Sequence, residues 1–245
     1  MEKNLNNLSE FINDREGFLN EKQLNNNANN GNISVYFRDL KSNLISEIEK
    51  HDTIFGCIAW LTDFDILKAL QGKKVYICVQ KEDFLRPDSN EIELNPNSWK
   101  IQLQELYEKL FVYEADGSWF LFKGYNFIDH LSIASFIQSG IRCVGNYNNE
   151  KKPANPRMHN KFMIFADELK NKEYTESEKF IFPKKVWTGS FNFTNNAGYS
   201  LENAVLIDNK EIAEAYYKEF ALIYSISEPL NWESEWIYPE YRLGT

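Results

Sequence analysis

His159 and Lys161 stand two residues apart in the apolar run HNKFMIF, residues 159–165. An extended chain puts residues i and i+2 on one face, so an imidazole and an ammonium would point at one spot. About thirty residues later, after another strand-like run, comes Gly189-Ser190-Phe191-Asn192. Ser190 and Asn192 share a face in the same way and offer a hydroxyl and a carboxamide, both able to bond phosphate oxygens. Gly189 lets backbone approach closely. Glu202 follows at the start of a further strand-like run. A carboxylate there can take the Nδ1 proton of a histidine, hold its tautomer and leave Nε2 as a nucleophile, the base-and-orienter logic of hydrolytic triads.

The approach to these residues is basic. Lys151, Lys152, Arg157 and Lys161 lie in a stretch with no acid between Lys151 and Phe165, and Lys184 and Lys185 precede Gly189. Lys151, Lys152, Arg157 and Lys185 are therefore candidate substrate-binding residues, a local positive rim that steers a polyanion. The plainer reading is a solvated loop. The chain as a whole has a net charge of -9 and a pI near 5.0. Phosphate affinity comes largely from Lys and Arg, so any nucleic-acid surface must be local.

Elements that alternate in type must position this set. Ser34 to Phe37 reads as a strand, and Leu40, Leu44, Ile45 and Ile48 recur at helical spacing. Thr53 to Trp60 is a buried-strand candidate; Asp63 caps a helix through Leu70 that Gly72 stops, and Val75 to Gln80 is a third strand. Residues 81–128 are less regular and read as an insertion containing the helix IQLQELYEKLF and an aromatic hairpin or loop, GSWFLFKGYNF. Leu131 to Gln138 resumes helix, and Ile141 to Gly145 is a strand. After the HNKFMIF strand, residues 167–180 form a charged excursion. Lys185 to Gly189 and Leu201 to Ile207 are two more strands, and Glu211 to Tyr224 is a long helix. The pattern predicts an α/β fold with a mixed central β-sheet flanked by helices on both faces.

The combination H-x-K, then G-S-x-N, then a downstream Glu resembles the phospholipase D superfamily, also called the HKD family. The resemblance covers roughly Ile33 to Tyr224, including the strand-helix-strand-helix order of VYFRDLKSNLISEIEKHDTIFGCIAWLTDFDILKAL. The family pattern H-x-K-x-x-x-x-D asks for an acid where Ala166 stands, with Asp167 next to it. A small bulge at the strand end would bring Asp167 into that supporting role.

The resemblance implies a metal-independent phosphodiesterase with no cofactor. One histidine attacks phosphorus and a second protonates the leaving oxygen, then activates water. Histidine suits both tasks, because its unperturbed pKa allows either protonation state near neutrality. Lys161, Ser190 and Asn192 would hold the charge on the phosphoryl oxygens. This chain has one such motif, since neither His51 nor His130 has a Lys two residues later. The expected partner is a second copy, in a homodimer that shares the site across a two-fold axis.

The single motif and the basic rim favour a nuclease acting on DNA or RNA. The rivals are a cardiolipin-type phospholipid phosphodiesterase and a non-catalytic dimeric scaffold of the same fold. The expected organisation is an Asn-rich N-terminal helix and flexible linker (1–32), a catalytic domain (33–224) and an aromatic tail (225–245). The helix and the tail are surfaces that a larger, defence-type complex would use. Cys57, Cys78 and Cys143 lie in apolar runs without metal-ligand spacing and read as reduced core thiols. No apolar h-region opens the chain and no run approaches a membrane span, so a cytoplasmic protein is expected. His51 follows Lys50 at a helix C-terminus, where positive charge offsets the macrodipole. The aromatics Trp119, Phe120, Phe122, Tyr125 and Phe127 read as core or dimer interface rather than a stacking platform.

Overall fold

The computed structural model describes residues 25–82, 98–112, 119–121, 138–145, 157–170 and 178–230. The strands are β1 (Ala28–Asn29), β2 (Ile33–Tyr36), β3 (Thr53–Ile58), β4 (Lys74–Gln80), β5 (Phe111–Val112), β6 (Trp119–Leu121), β7 (Gln138–Ser139), β8 (Ile141–Val144), β9 (Lys161–Lys170), β10 (Glu178–Gly189), β11 (Ala204–Asp208) and β12 (Glu228–Pro229). The helices are α1 (Leu40–Glu49), α2 (Phe64–Leu70), α3 (Trp99–Glu108) and α4 (Lys210–Ser225).

The main sheet runs β1-β2-β11-β10-β9-β3-β4-β8-β12, with β6 paired to β10. It is mixed: β3, β4 and β8 are mutually parallel, whereas β9 runs antiparallel to both β3 and β10. Every residue of β3 is buried, because helices cover both of its faces. Ile54, Ile58, Val75 and Ile77 pack with Leu44 and Ile48 of α1, Ile66 and Leu67 of α2, and Leu103 of α3. On the other face, Phe55 stacks on Tyr76 at 5.0 Å and meets Tyr217 of α4 edge-on at 4.9 Å. The alternation along β3 thus splits into two cores, and the α/β expectation holds.

Two of the helix starts follow from side-chain caps. Asp63 Oδ1 accepts hydrogen bonds from the backbone N–H groups of Asp65 and Ile66 at 2.9 and 3.2 Å, satisfying the open first turn of α2. Asn209 does the same for α4 through Ile212. The helix α2 ends before Gly72, whose φ is +76°.

Three local expectations change. The Asn-rich connector carries β1, which pairs with β2; Asn30 and Asn27 side chains accept backbone N–H bonds from Ile33 and Phe37 at 2.8 and 2.7 Å. Asparagine amides take over turn hydrogen bonds here, so the stretch is structured from Asn25 onward. The charged excursion is shorter than expected, because β9 runs on to Lys170 and β10 already begins at Glu178. Charged side chains can alternate out of a strand, and polarity alone does not mark a loop. In place of a helix end at Gln138, Gln138–Ser139 is a short strand paired to β5; residues 131–137 lie outside the described residues. So do residues 1–24, where the N-terminal helix was expected, the tail beyond Leu230, His130, and the side chains of the aromatic loop.

Cys57, Cys78 and Cys143 are buried and form no disulfide, and burial pushes the Cys143 thiol up to about 12. Among the described residues no helix is long and apolar enough to cross a membrane.

Candidate active site

The register of three neighbouring strands builds the site. Because β9 is antiparallel to its neighbours, its first residue lies opposite the last residues of β3 and β10: Lys161 pairs with Ile58, and Phe162 with Thr188. The pairing extends one step further through Ala59 N–H to the Asn160 carbonyl at 2.8 Å. His159 therefore sits just ahead of β9, at the sheet end where β10 delivers Gly189 and Ser190.

The segment leading into His159 is anchored by a side chain that carries no chemistry. Gln80, buried at the end of β4, accepts a hydrogen bond from the Met158 backbone N–H at 2.7 Å and donates to the Lys81 carbonyl at 2.9 Å. Gly145, at φ +89°, packs directly on that carboxamide, and a Cβ there would lie 2.6 Å from Gln80 Oε1.

His159 is exposed and meets the ring of Trp60 edge-on at 5.2 Å. Trp60 is itself held by its indole N–H, which donates to Glu82 at 2.8 Å. The Lys161 ammonium donates to the His159 carbonyl at 2.9 Å and lies 3.2 and 3.3 Å from Nδ1 and Nε2. An ammonium has only donors, so this approach suits an unprotonated imidazole with a lone pair to offer. The electrostatics agree. Burial, then the charges of Lys161 and Arg157, hold the His159 ring below the usual histidine value. Burial likewise lowers Lys161, against the pull of Glu202.

The other half of the site comes from β10 and β11. Ser190 Oγ donates to Glu202 Oε2 and accepts the Asn203 backbone N–H at 3.1 Å; the Ser190 N–H in turn donates to the Asn203 carbonyl at 3.1 Å. The two strands approach so closely at Gly189 that a Cβ there would lie 2.8 Å from the Ala204 Cα, so only glycine fits. Asn192 Oδ1 is buried with no hydrogen-bond partner among the described residues. A buried acceptor left unpaired costs stability, and such a cost is tolerated where a group waits for a ligand.

The structure thus brings together His159, Lys161, Gly189, Ser190, Asn192 and Glu202 at one end of the sheet, with Arg157 exposed beside them. Other expected members lie elsewhere. Glu202 makes no hydrogen bond to His159 of its own chain among the described residues; its Oε2 accepts from Ser190, and its other oxygen is left to accept elsewhere. Lys185 lies at the far part of β10, its ammonium bonded to Glu47 at 2.9 Å and 3.4 Å from Asp208, and so serves an internal ion cluster. Asp167 does not replace the missing acid. Ala166 stays in register with Thr53 and Pro183, and the bulge falls on β10, where Lys184 is the extra residue and pairs with Asp167. Proline cannot donate to the ladder, which places the irregularity beside Pro183. Lys151 and Lys152 lie outside the described residues.

Trp60, Gln80 and Glu47 escaped the reading of the sequence. Each left a faint signal: an aromatic just past a buried strand, a lone amide ending the run VYICVQ, and an acid on the apolar stripe of a helix.

The family model described as "Cardiolipin synthase, PLD-like domain" matches residues 44–224. An uncharacterized protein of Acanthamoeba polyphaga mimivirus is 34% identical over 218 residues, covering 86% of this chain and 71% of that protein. Among solved structures, NucT from Helicobacter pylori is 16% identical, covering 80% of this chain and 98% of its own, with a TM-score of 0.49. Nuc from Salmonella typhimurium, a phospholipase D family member, is 18% identical, covering 80% and 96%, with a TM-score of 0.45. With a family match across most of the chain and a relative aligned over most of both lengths, this protein belongs to the phospholipase D-like domain family.

Proposed function

We propose that the chain is a nuclease, a phosphodiesterase that cleaves DNA or RNA through a phosphohistidine on His159 in a site completed by a second copy. The observation that carries this reading is His159 itself, exposed at the strand ends, favoured in its neutral form and faced by the Lys161 ammonium.

In the proposed reaction the neutral His159 attacks phosphorus in line, and a P–N bond forms as the P–O bond to the leaving nucleotide breaks. The leaving oxygen takes its proton from the second copy's His159, which begins protonated. That imidazole, now neutral, takes a proton from water as the water oxygen attacks the phosphohistidine; the P–N bond breaks, and both rings regain their starting forms. Lys161, Ser190 and the Asn192 carboxamide stabilise charge on the non-bridging oxygens. No metal enters these steps. Across the two-fold axis, Glu202 is the carboxylate able to accept the Nδ1 proton of the opposing histidine, the role it does not fill within its own chain.

Arg157 and Lys161 supply the local positive charge that a nucleic acid needs on an acidic protein. The test is cleavage of labelled single- and double-stranded DNA and RNA in excess EDTA. Cleavage is expected without metal; cleavage only after metal is added would overturn the mechanism. The family model's description favours a second reading, a phospholipid phosphodiesterase, and hydrolysis of cardiolipin vesicles with intact oligonucleotides would establish it instead.

The depressed His159 value has a kinetic consequence. The neutral imidazole persists to lower pH, so the acid limb of kcat/KM falls below the ordinary histidine value of about 6.5. Arg157→Gln removes one of the charges holding it down, and the limb should move to higher pH. An unmoved limb would show that Arg157 does not act on the titrating ring.

A further inference from the structure

Beside His159 the fold leaves an open groove of about 540 Å³ between the turn after β3, the loop after β10 and the start of α3. Trp60, Phe64 and Trp99 supply aromatic surface, and Thr194, Asn195 and Asn196 supply polar edges. The groove is built rather than incidental. The Thr62 and Asp63 backbone N–H groups donate to the Phe193 carbonyl at 2.8 and 2.9 Å, fixing its two walls against each other. Trp60 is shared with the site: its ring is in edge contact with His159 and lies 5.7 Å from the Lys161 ammonium, while its N–H is tied to Glu82. Trp99 is 47% exposed on the first turn of α3 and lines the groove.

Resting on the nuclease reading, we infer that this groove holds an unpaired nucleobase flanking the scissile phosphate, making single strands the preferred substrate. Three observations select a base over another phosphate or a lipid headgroup. The aromatic surfaces suit a flat π-face, and base–aromatic stacking is tolerant of sequence. The Asn195 and Asn196 carboxamides each carry both a donor and an acceptor, the pair that a base edge presents. The charged groups lining the groove are carboxylates, Asp63 and Asp65, which repel a phosphate. Lys41 lies 3.3 and 2.8 Å from them and offsets their charge without reversing it. Phosphate is thus directed to Lys161 and Arg157, and the base to the opposite side of Trp60. A base still paired and stacked in a duplex cannot present its face to the rings that line this groove.

The test uses full-length protein and a single-stranded DNA oligonucleotide, either intact or with one abasic residue beside the cleaved bond, plus the duplex of the same sequence. Wild type should cleave the intact single strand on the order of tenfold faster than the abasic strand or the duplex. Trp99→Ala should erase most of that preference, and Trp99→Phe should restore it. Equal rates on intact and abasic strands, or a preference that survives Trp99→Ala, would overturn the inference. If no oligonucleotide is cleaved, the nuclease reading fails separately, and the groove is read by fluorescence anisotropy of labelled single strand. Binding that weakens about tenfold in Trp99→Ala upholds the base site, and binding indifferent to Trp99 or to the abasic residue rejects it.

Discussion

His159→Ala should lower cleavage by about 10⁴-fold or more while leaving the fold intact. The side chain is exposed, so its truncation opens no core cavity, and circular dichroism and thermal melting should be unchanged. In the proposed mechanism the loss is large because one substitution removes two functions from a shared site, the nucleophile from one copy and the general acid from the other. That gives the prediction a second, sharper form. In dimers assembled from equal amounts of wild-type and His159→Ala chains, random pairing leaves about a quarter as wild-type homodimers. Activity should follow the square of the wild-type fraction. A linear dependence would mean that each chain carries a complete site, and the shared-site mechanism would have to be abandoned. If the substituted protein retained nearly full cleavage, His159 would not be the nucleophile.

Glu47→Gln should destabilise the protein by about 2–4 kcal/mol, measured by urea denaturation at neutral pH. Glu47 lies on the buried stripe of α1 and is 4% exposed. Its Oε1 accepts from Lys185 at 2.9 Å and lies 3.2 Å from His51 Nε2, and its Oε2 accepts from Lys50 at 2.9 Å. His51 also stacks on Phe165 of β9 at 5.0 Å, so one carboxylate ties α1 to the central strands. A carboxamide keeps the shape but not the charge, leaving Lys185 with the outlying Asp208 alone. Lys50 is mostly solvated and contributes little.

The pH dependence has a definite sign. Burial pushes the Glu47 carboxyl up, but the hydrogen bonds to His51, Lys50 and Lys185 outweigh it and hold the group well below its ordinary value of 4.5. A folded value below the unfolded one contributes stability that is complete above about pH 4.5 and fades as pH falls toward the folded value. The gap between wild type and Glu47→Gln should therefore narrow between pH 7 and pH 3. A gap that stays constant over that interval would mean that the carboxylate's charge is not what stabilises α1.

The parts of this protein legible in its sequence are those governed by neighbours along the chain. The apolar repeat of Leu40, Leu44 and Ile48 marks α1 because burial on a helix recurs every three to four residues. The unbroken apolar runs of β3 and β4 mark strands covered on both sides. Asp63 announces α2 because a cap acts within its own first turn. His159, Lys161, Ser190 and Asn192 were recognisable from residue type and a spacing of two, although His159 precedes β9 and Ser190 and Asn192 follow β10.

The tertiary structure decided which of these ends meet and which charges pair. Glu202 takes the Ser190 hydroxyl instead of its own chain's histidine because β10 and β11 are antiparallel, with Gly189 directly opposite Ala204. Lys185 belongs to Glu47, a residue 138 positions away in the chain, because α1 packs against that part of the sheet. Asp167 pairs with Lys184 because the bulge at Pro183 falls on β10 rather than β9. Trp60 stands beside His159 only because β9 pairs antiparallel with β3. Residue types and short periods report burial and local geometry, whereas long-range register is set by packing all the strands at once. That is why the sequence by itself carried the chemistry of this site, and the fold alone assigned its partners.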